Sequence, residues 1–249
     1  TIAGGNVFVL GPTFQTTADR LVSYAASQGK SRIVVVSAQD VAGQLGRTSI
    51  QNAISRSGAT LAGSVDYPLS QQGVIDAVPR IKSTVDSSGA DAVFMTSSTA
   101  SALPLLAQLL PEAGIQPTVT QYIGLTRWDI PSPTLSLPGL QGGWFALPDP
   151  ARSAAFSAKY QAAYGGTPHP IASLGFDGIA AVGALVAKGK SNALTGAALT
   201  QGAGFQGASG IFRLRSDGTN DRGLAIATIR NNQVVVIDAA PQSFGGAGF

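Results

Sequence analysis

Short β-branched runs alternate with longer stretches whose apolar residues recur at helical spacing through the first two-thirds of the chain. Such alternation predicts strands joined by helical crossovers, the pattern of a parallel α/β sheet. Residues 7–10 form the first predicted strand. Thr16 with Asp19 then offers a capping box for a helix that carries Leu21, Val22, Ala25 and Ala26 and stops at Gly29. Residues 33–36 are apolar without interruption, which suits a strand buried on both faces. A helix over 41–57 carries Leu45, Ile50 and Ile54 and stops at Gly58, and an extended segment follows at 60–65. The period repeats with a helix over 74–85, in which Pro79 predicts a kink or a first turn, a strand over 90–95, a helix over 103–110 and a strand over 118–123.

Beyond this series the signals change. Residues 129–139 hold too many prolines for regular structure and predict a long surface loop. A short strand over 142–147 leads to Asp149-Pro150, a helix cap followed by proline at the first helical position, and a helix over 151–164. Residues 171–188 are apolar on most sides and predict a buried helix; 192–200 predict a shorter one. The remainder is antiparallel in character, with strands at 211–214, 224–230 and 234–237 and turns at Ser216-Asp217-Gly218 and Asn231-Asn232. The tail Gly245-Gly246-Ala247-Gly248 is expected to be loose.

Composition narrows the function. The 249 residues suffice for one large or two modest domains, and 44% hydrophobic with 12% charged residues is a globular balance. Sixteen Lys and Arg and thirteen Asp and Glu are scattered without a basic run, which argues against a nucleic-acid partner. The longest apolar-leaning stretch, 171–187, contains Asp177 and three glycines, so no membrane span is expected. Cysteine is absent, which excludes disulfides, thiolate metal sites and cysteine catalysis and leaves the compartment open. The start at Thr1, without initiator Met or signal-like segment, is what a mature or trimmed product would show.

Catalytic chemistry finds little support. His169, the single histidine, sits in a Thr167-Pro168-His169-Pro170 turn and suits a structural or surface role; a two-histidine metal site is impossible. Phosphate-cradling glycine motifs are missing, and no cofactor is expected. Ser27 and Lys30 match an S-x-x-K pattern, but Lys30 follows a helix-ending glycine and no KTG or SDN accompanies it. Asp40, Asp66, Asp76, Asp91 and Asp129 fall in different units and read as caps, turns and solvated groups. Asp177, on an otherwise apolar helix, needs a partner, and a buried hydrogen bond is preferred over a ligand contact.

Ligands of parallel sheets meet the carboxyl ends of the strands, where helix N-termini present free N–H groups. That geometry selects Thr13, Gln15 and Thr16 after the first strand and Ser37, Gln39 and Asp40 after the second. It also selects Thr96, Ser97 and Ser98 after the fourth, and Tyr122, Thr126, Arg127 and Trp128 after the fifth. The hydroxyl cluster from Thr96 to Thr99 suits either a carboxylate or sugar ligand or the capping of the following helix. Arg127-Trp128 suits an anionic or ring-bearing ligand or a protein partner, and the tryptophan equally suits a purely covering role.

Five segments carry a resemblance to a known family. They are Gln15-Thr16-Thr17-Ala18, Lys30-Ser31-Arg32-Ile33-Val34-Val35-Val36, Gly89-Ala90-Asp91-Ala92-Val93-Phe94, Gly175-Phe176-Asp177-Gly178 and Gln206-Gly207-Ala208-Ser209-Gly210-Ile211-Phe212. In order and spacing they resemble the type I periplasmic binding proteins of the leucine/isoleucine/valine-binding kind, over most of the chain. Thr126-Arg127-Trp128 followed by the stretch from Leu140 to Pro150 looks more like the LpoA-type lipoprotein activators of penicillin-binding proteins. The resemblance implies an α/β fold with a parallel sheet lobe flanked by helices, a partial second lobe and C-terminal antiparallel strands. On that pattern 1–10 end the first lobe, 11–146 form the second, 147–204 return to the first, and 205–249 supply closing strands and hinge.

Family members open with βαβ units that build most of the first lobe, and this chain starts at what looks like that lobe's final strand. Half of a ligand site is therefore expected to be missing, or the chain to be a fragment. The implied function is non-enzymatic recognition in the bacterial periplasm, and the lipoprotein resemblance implies anchoring through a lipid-modified N-terminus outside this chain. An activator would act on a penicillin-binding protein. The alternative is a solute receptor for amino acids or similar small polar ligands that works with a transporter permease. The strand-end loops offer hydroxyls and one Arg but few acids to hold an ammonium, which leans toward the activator.

Overall fold

The computed structural model describes residues 5–187 and 194–245. The chain divides into two compact units, one of Thr17–Ala146 with Ile226–Asp238, the other of Thr1–Thr16, Leu147–Ala225 and Ala239–Phe249.

The first of these is a helix-flanked sheet. Helices α1 (Phe14–Ser27), α2 (Val41–Ser57), α3 (Gln71–Ser88) and α4 (Leu103–Glu112) alternate with strands β1 (Arg32–Ala38), β2 (Thr60–Tyr67), β3 (Ala92–Met95), β4 (Gln121–Gly124) and β5 (Trp144–Pro148). With β9 (Leu224–Arg230) and β10 (Gln233–Asp238) they make a seven-stranded sheet in the order β10-β9-β5-β4-β3-β1-β2. The pairs β1 with β2, β1 with β3, β3 with β4 and β4 with β5 are all parallel. The β9–β10 hairpin closes through Asn231 and Asn232, both at positive φ, which asparagine tolerates better than other side chains.

The apolar run of β1 is buried because helices cover both faces of a parallel sheet, and β3 and β4 are buried throughout for the same reason. Buried stripes at helical spacing face it: Val74, Ala77, Val78, Ile81 and Val85 on α3, and Leu103, Leu106, Ala107 and Leu110 on α4. Each large side chain so buried contributes about 1.5–3 kcal/mol.

Several expectations are corrected. The α1 cap is Thr13, whose Oγ1 accepts from Thr16 N at 3.1 Å, three residues before the anticipated capping box. Leu45 is exposed, and α2 turns Gly43, Gly46, Ile50, Ala53 and Ile54 inward instead. Pro79 sits in mid-helix, because α3 starts at Gln71, where polar residues give no apolar signal. The proline-rich segment forms two 3₁₀ turns, Ser132–Ser136 and Pro138–Leu140, and buries Thr134, Gly139 and Leu140. Gly139 lies against the α4 backbone, where a Cβ would stand 1.8 Å from the Ala107 carbonyl oxygen. Of residues 7–10 only Val7 makes an isolated bridge.

The other unit holds α5 (Pro150–Tyr164), α6 (Ala172–Val186), the single turn α7 (Gly196–Leu199) and an antiparallel sheet of β6 (Phe205–Gly207), β7 (Gly210–Leu214) and β8 (Asn220–Arg222). Asp149 caps α5 by accepting from Ala151 N and Arg152 N. Lys188, residues 192 and 193 of the expected short helix, and residues 246–248 of the tail lie outside the described residues.

Ala181, Leu185, Phe205, Phe212 and Leu214 form the core of this unit, with Phe8 and Leu10 packed against it. Beside it Asp177, fully buried, receives both terminal nitrogens of Arg222 at 3.0 Å and the Ala208 N–H. Arg222 also donates to Ser209 Oγ and to the Leu10 carbonyl, and its guanidinium lies 4.9 Å from the centroid of the Phe212 ring. Burial lowers the Arg222 pKa and the Asp177 charge opposes that shift. Asp177→Ala leaves a buried cation without its counter-ion, so a loss of roughly 3–5 kcal/mol is expected in urea unfolding. Asp177→Leu with Arg222→Met should recover most of that loss.

Candidate functional site

The carboxyl ends of β1, β2, β3 and β4 share one edge of the sheet because these strands are parallel. Two helix N-termini open there by the same local device. Asp40 caps α2 and accepts from Gly43 N at 2.6 Å, and Ser70 caps α3 and accepts from Gly73 N at 3.0 Å. In both, the third residue after the cap is glycine, and its missing side chain admits the preceding strand end. A Cβ at Gly43 would stand 2.2 Å from the Ala38 carbonyl oxygen, and one at Gly73 2.4 Å from that of Pro68. Alanine at either position forces backbone apart, for which about 1–3 kcal/mol of destabilisation is expected in thermal or urea melts.

Around these termini the acids are already engaged. Asp66 accepts from Ser37 Oγ and from Arg47 at 2.5 Å. Arg127 holds Asp129 in a bidentate pair, with Nε 2.9 Å from Oδ1. Thr96 Oγ1 accepts from Ala38 N, and Thr126 Oγ1 donates to the Ser97 carbonyl at 3.1 Å. Ser98 bonds to Ser101 through both its N–H and its hydroxyl. The residue before α4 is Ala102, which makes no side-chain cap, so capping is not what the hydroxyl cluster does.

Among the described residues, buried polar atoms without a partner include Tyr67 Oη, Ser97 Oγ and Trp128 Nε1. All three belong to the segments that end or follow β2, β3 and β4. Burial pushes the Tyr67 hydroxyl up to about 12; the Ser97 hydroxyl pulls the other way and the Asp40 charge adds to the rise.

The sequence-selected positions separate into groups. Ser37, Gln39, Asp40, Thr96, Ser97, Ser98, Thr126 and Arg127 all fall on this rim, with Gln39 and Arg127 the more solvent-accessible. Tyr122 is a core residue whose hydroxyl donates to the Ile115 carbonyl before β4. Trp128 is fully buried, 6.1 Å from Phe145 and against Gly124 and Gly143, so its covering role prevails over that of an exposed anchor. Thr13, Gln15 and Thr16 belong to the other unit, where Thr13 caps α1 and Thr16 donates to the Asn220 carbonyl. Sequence reasoning missed Arg47, Tyr67 and Ser70. The strand ending in Tyr67 was expected to stop two residues early, while Ser70-Gln71-Gln72-Gly73 does carry a readable cap-x-x-Gly pattern.

Tyr67 gives this rim a measurable signature. Its folded-state pKa lies above the unfolded value near 10, so the stability it contributes is intact below pH 10 and is lost as pH rises toward 12. Tyr67→Phe should flatten the alkaline limb of the stability curve and remove one late-titrating phenol from the absorbance titration.

A family model described as "Periplasmic binding protein" matches residues 1–233. No curated protein sequence matches the chain. Among solved structures, the chain is similar to a branched-chain amino acid ABC transporter periplasmic ligand-binding protein from Burkholderia xenovorans, with TM-score 0.72 and 18% identity over 98% of this chain and 67% of that one. An ABC transporter substrate-binding protein from Desulfitobacterium hafniense in complex with Leu gives 0.66 at 18% identity, covering 91% and 66%. A solute-binding protein from R. palustris in complex with benzoate gives 0.65 at 19%, covering 96% and 66%. The chain thus spans about two-thirds of the length of these proteins. At such identities the likeness is one of fold.

Proposed function

This chain belongs to the periplasmic binding protein family, and on that premise we propose that it is the ligand-recognising part of a solute receptor for an ABC transporter, acting outside the cytoplasmic membrane. The observation that carries the reading is the rim of β1–β4, where two capped helix N-termini and a set of hydroxyls converge on one edge. Helix N-termini favour anions, and the acids here are already held by Arg47, Arg127 and the α2 cap. A small organic carboxylate with an apolar body is the ligand that fits this balance. The leucine and benzoate named for two similar structures share that chemistry.

In this reading the rim hydroxyls of Ser97, Ser98 and Thr96, with Arg127 at its margin, hold the carboxylate, and no bond is made or broken. The competing reading, a regulator that acts on a penicillin-binding protein, rests on the stretch around Thr126-Arg127-Trp128. The burial of Trp128 removes its principal anchor, and the similar solved structures named above are transport receptors.

Thermal-shift measurements with leucine, benzoate and acetate, each from micromolar to millimolar, test the proposal. A ligand at about 100 times its Kd adds about 2.7 kcal/mol and a clear rise in Tm. Ser97→Ala should leave the unliganded Tm nearly unchanged and weaken binding roughly tenfold, the loss of about 1.4 kcal/mol that one hydrogen bond to a charged group carries. No shift with any carboxylate, together with saturable binding to a purified penicillin-binding protein, would reverse the assignment.

A further inference from the structure

Two surfaces of the molecule stand open. Helix α6, expected to be buried on most sides, buries only Asp177, Ala181 and Leu185 and leaves Ile179 76% exposed. Its exposed Phe176, Ile179 and Val186 hold no hydrogen-bonding group by which a ligand could be oriented. The other surface is a cleft of about 340 Å³ between the N-terminal ends of α3 and α4, lined by Leu69, Ser70, Gln71, Val74, Ala102 and Leu105 among others, none of them charged.

The strands that lead into these two helices present a hydroxyl each to the same side of the sheet. In β2, Asp66 reaches Arg47 on α2, whereas Gly63 lies against α3, where a Cβ would stand 2.4 Å from Thr84 Cγ2. Side chains alternate along a strand, so Tyr67 shares the α3 side with Gly63. Just past β3, Thr96 lies against α2, where a Cβ at Gly46 would stand 3.0 Å from its Cγ2, and the next residue, Ser97, faces the opposite side, where α4 packs beside α3. Strand β1 runs between β2 and β3; its Ala38 pairs with Tyr67 and, when the β1–β3 register is carried two residues on, with Ser97. The small Ala38 side chain leaves the phenol room to extend over β1, near enough for the Ser97 hydroxyl to favour the Tyr67 phenolate. Tyr67 and Ser97 are 0% and 3% exposed, yet neither hydroxyl has a hydrogen-bond partner. Buried hydroxyls without partners destabilise a fold, so two of them together mark a place that a bound molecule completes.

The chemistry of the place selects its occupant. Both hydroxyls can donate, and Tyr67 keeps its proton through neutral pH because burial holds its titration near 12. The first N–H groups of the eighteen-residue α3 add further donors and the positive end of the helix dipole. With no acid in the lining and apolar walls at Leu69, Val74, Ala102 and Leu105, the complement is an anionic head on an apolar body, and a volume at the low end of ligand cavities suits a short one. We infer that the carboxylate ligand enters this cleft head first, its carboxylate accepting from the Tyr67 and Ser97 hydroxyls and its body lying between Leu69, Val74 and Leu105. The inference rests on the reading of the rim as a carboxylate site; it adds Tyr67 to the ligand's partners and makes the α3–α4 cleft the element that selects among acids by length.

Isothermal titration with acetate, butanoate and hexanoate tests this. Affinity should rise about fourfold with each methylene that the walls bury, the factor carried by one buried CH₂. Leu105→Trp should cancel that rise, so that hexanoate binds no more tightly than acetate. Leu69→Ser, at a position 53% exposed and so of little weight in the fold, should weaken hexanoate several-fold more than acetate. Tyr67→Phe should weaken all three acids alike, by at least about tenfold for one hydrogen bond to a charged group. The free Tyr67→Phe chain should melt no lower, because the hydroxyl has no partner to lose. Val119→Trp, exposed and outside the cleft, serves as control and should change none of the affinities. If the acids bind and the rise with length is absent, or survives both Leu105→Trp and Leu69→Ser, the inference is overturned while the carboxylate reading stands. If none of the acids binds, the carboxylate reading fails and this inference fails with it.

Discussion

Parallel strands cannot be joined by tight turns, so each of β1 to β4 must be followed by a crossover that carries the chain back to the starting edge. That single constraint brings the strand exits and the N-termini of α2 and α3 to the same side of the sheet. It also demands that both sheet faces be covered, which is why residues 33–36 of β1 and the whole of β3 are apolar without alternation and, with β4, buried. The rim is therefore a consequence of topology before any side chain on it is considered.

What the side chains add is electrostatic restraint. Asp40, Asp66 and Asp129 each stand near the rim, and each is spent on a helix cap or an arginine. An isolated carboxylate beside two helix N-termini would repel the anion those termini attract. The pairing leaves hydroxyls and backbone N–H groups as the surplus, and buried Ser97 and Tyr67 hydroxyls without protein partners belong to it. A polar group taken from water without a partner costs stability, so such groups are more economical in a site that a ligand or ordered water completes.

The second unit solves a different problem. A small antiparallel sheet and two helices enclose little apolar surface, and a buried Asp177–Arg222 pair is held among them by the Leu10 carbonyl, Ser209 and the Ala208 N–H. Every ionised atom of that pair finds a partner, which is the condition under which a buried charge is tolerable. The apolar outer side of α6 has no such resolution within the unit.

The repeating strands and helices of the first two-thirds were legible because hydrophobic period and glycine stops are local properties; 33–36 and 41–57 appear in the structure as read. The need of Asp177 for a partner was legible too, since a carboxylate amid apolar residues is unstable alone. The partner was not, because residues 45 positions apart meet only when the chain folds; the covering role of Trp128 was one of two readings, and Gly124 and Gly143, which make room for its ring, write no hydrophobic signal. The sequence determined which segments seek burial, through their composition and spacing. Tertiary structure alone decided which of them obtain it: Leu45 and Ile179 are as apolar as Ile50 and Leu185, and only packing, set by where Gly43, Gly46 and Asp177 turn their helices, left the first pair in solvent and the second in the core.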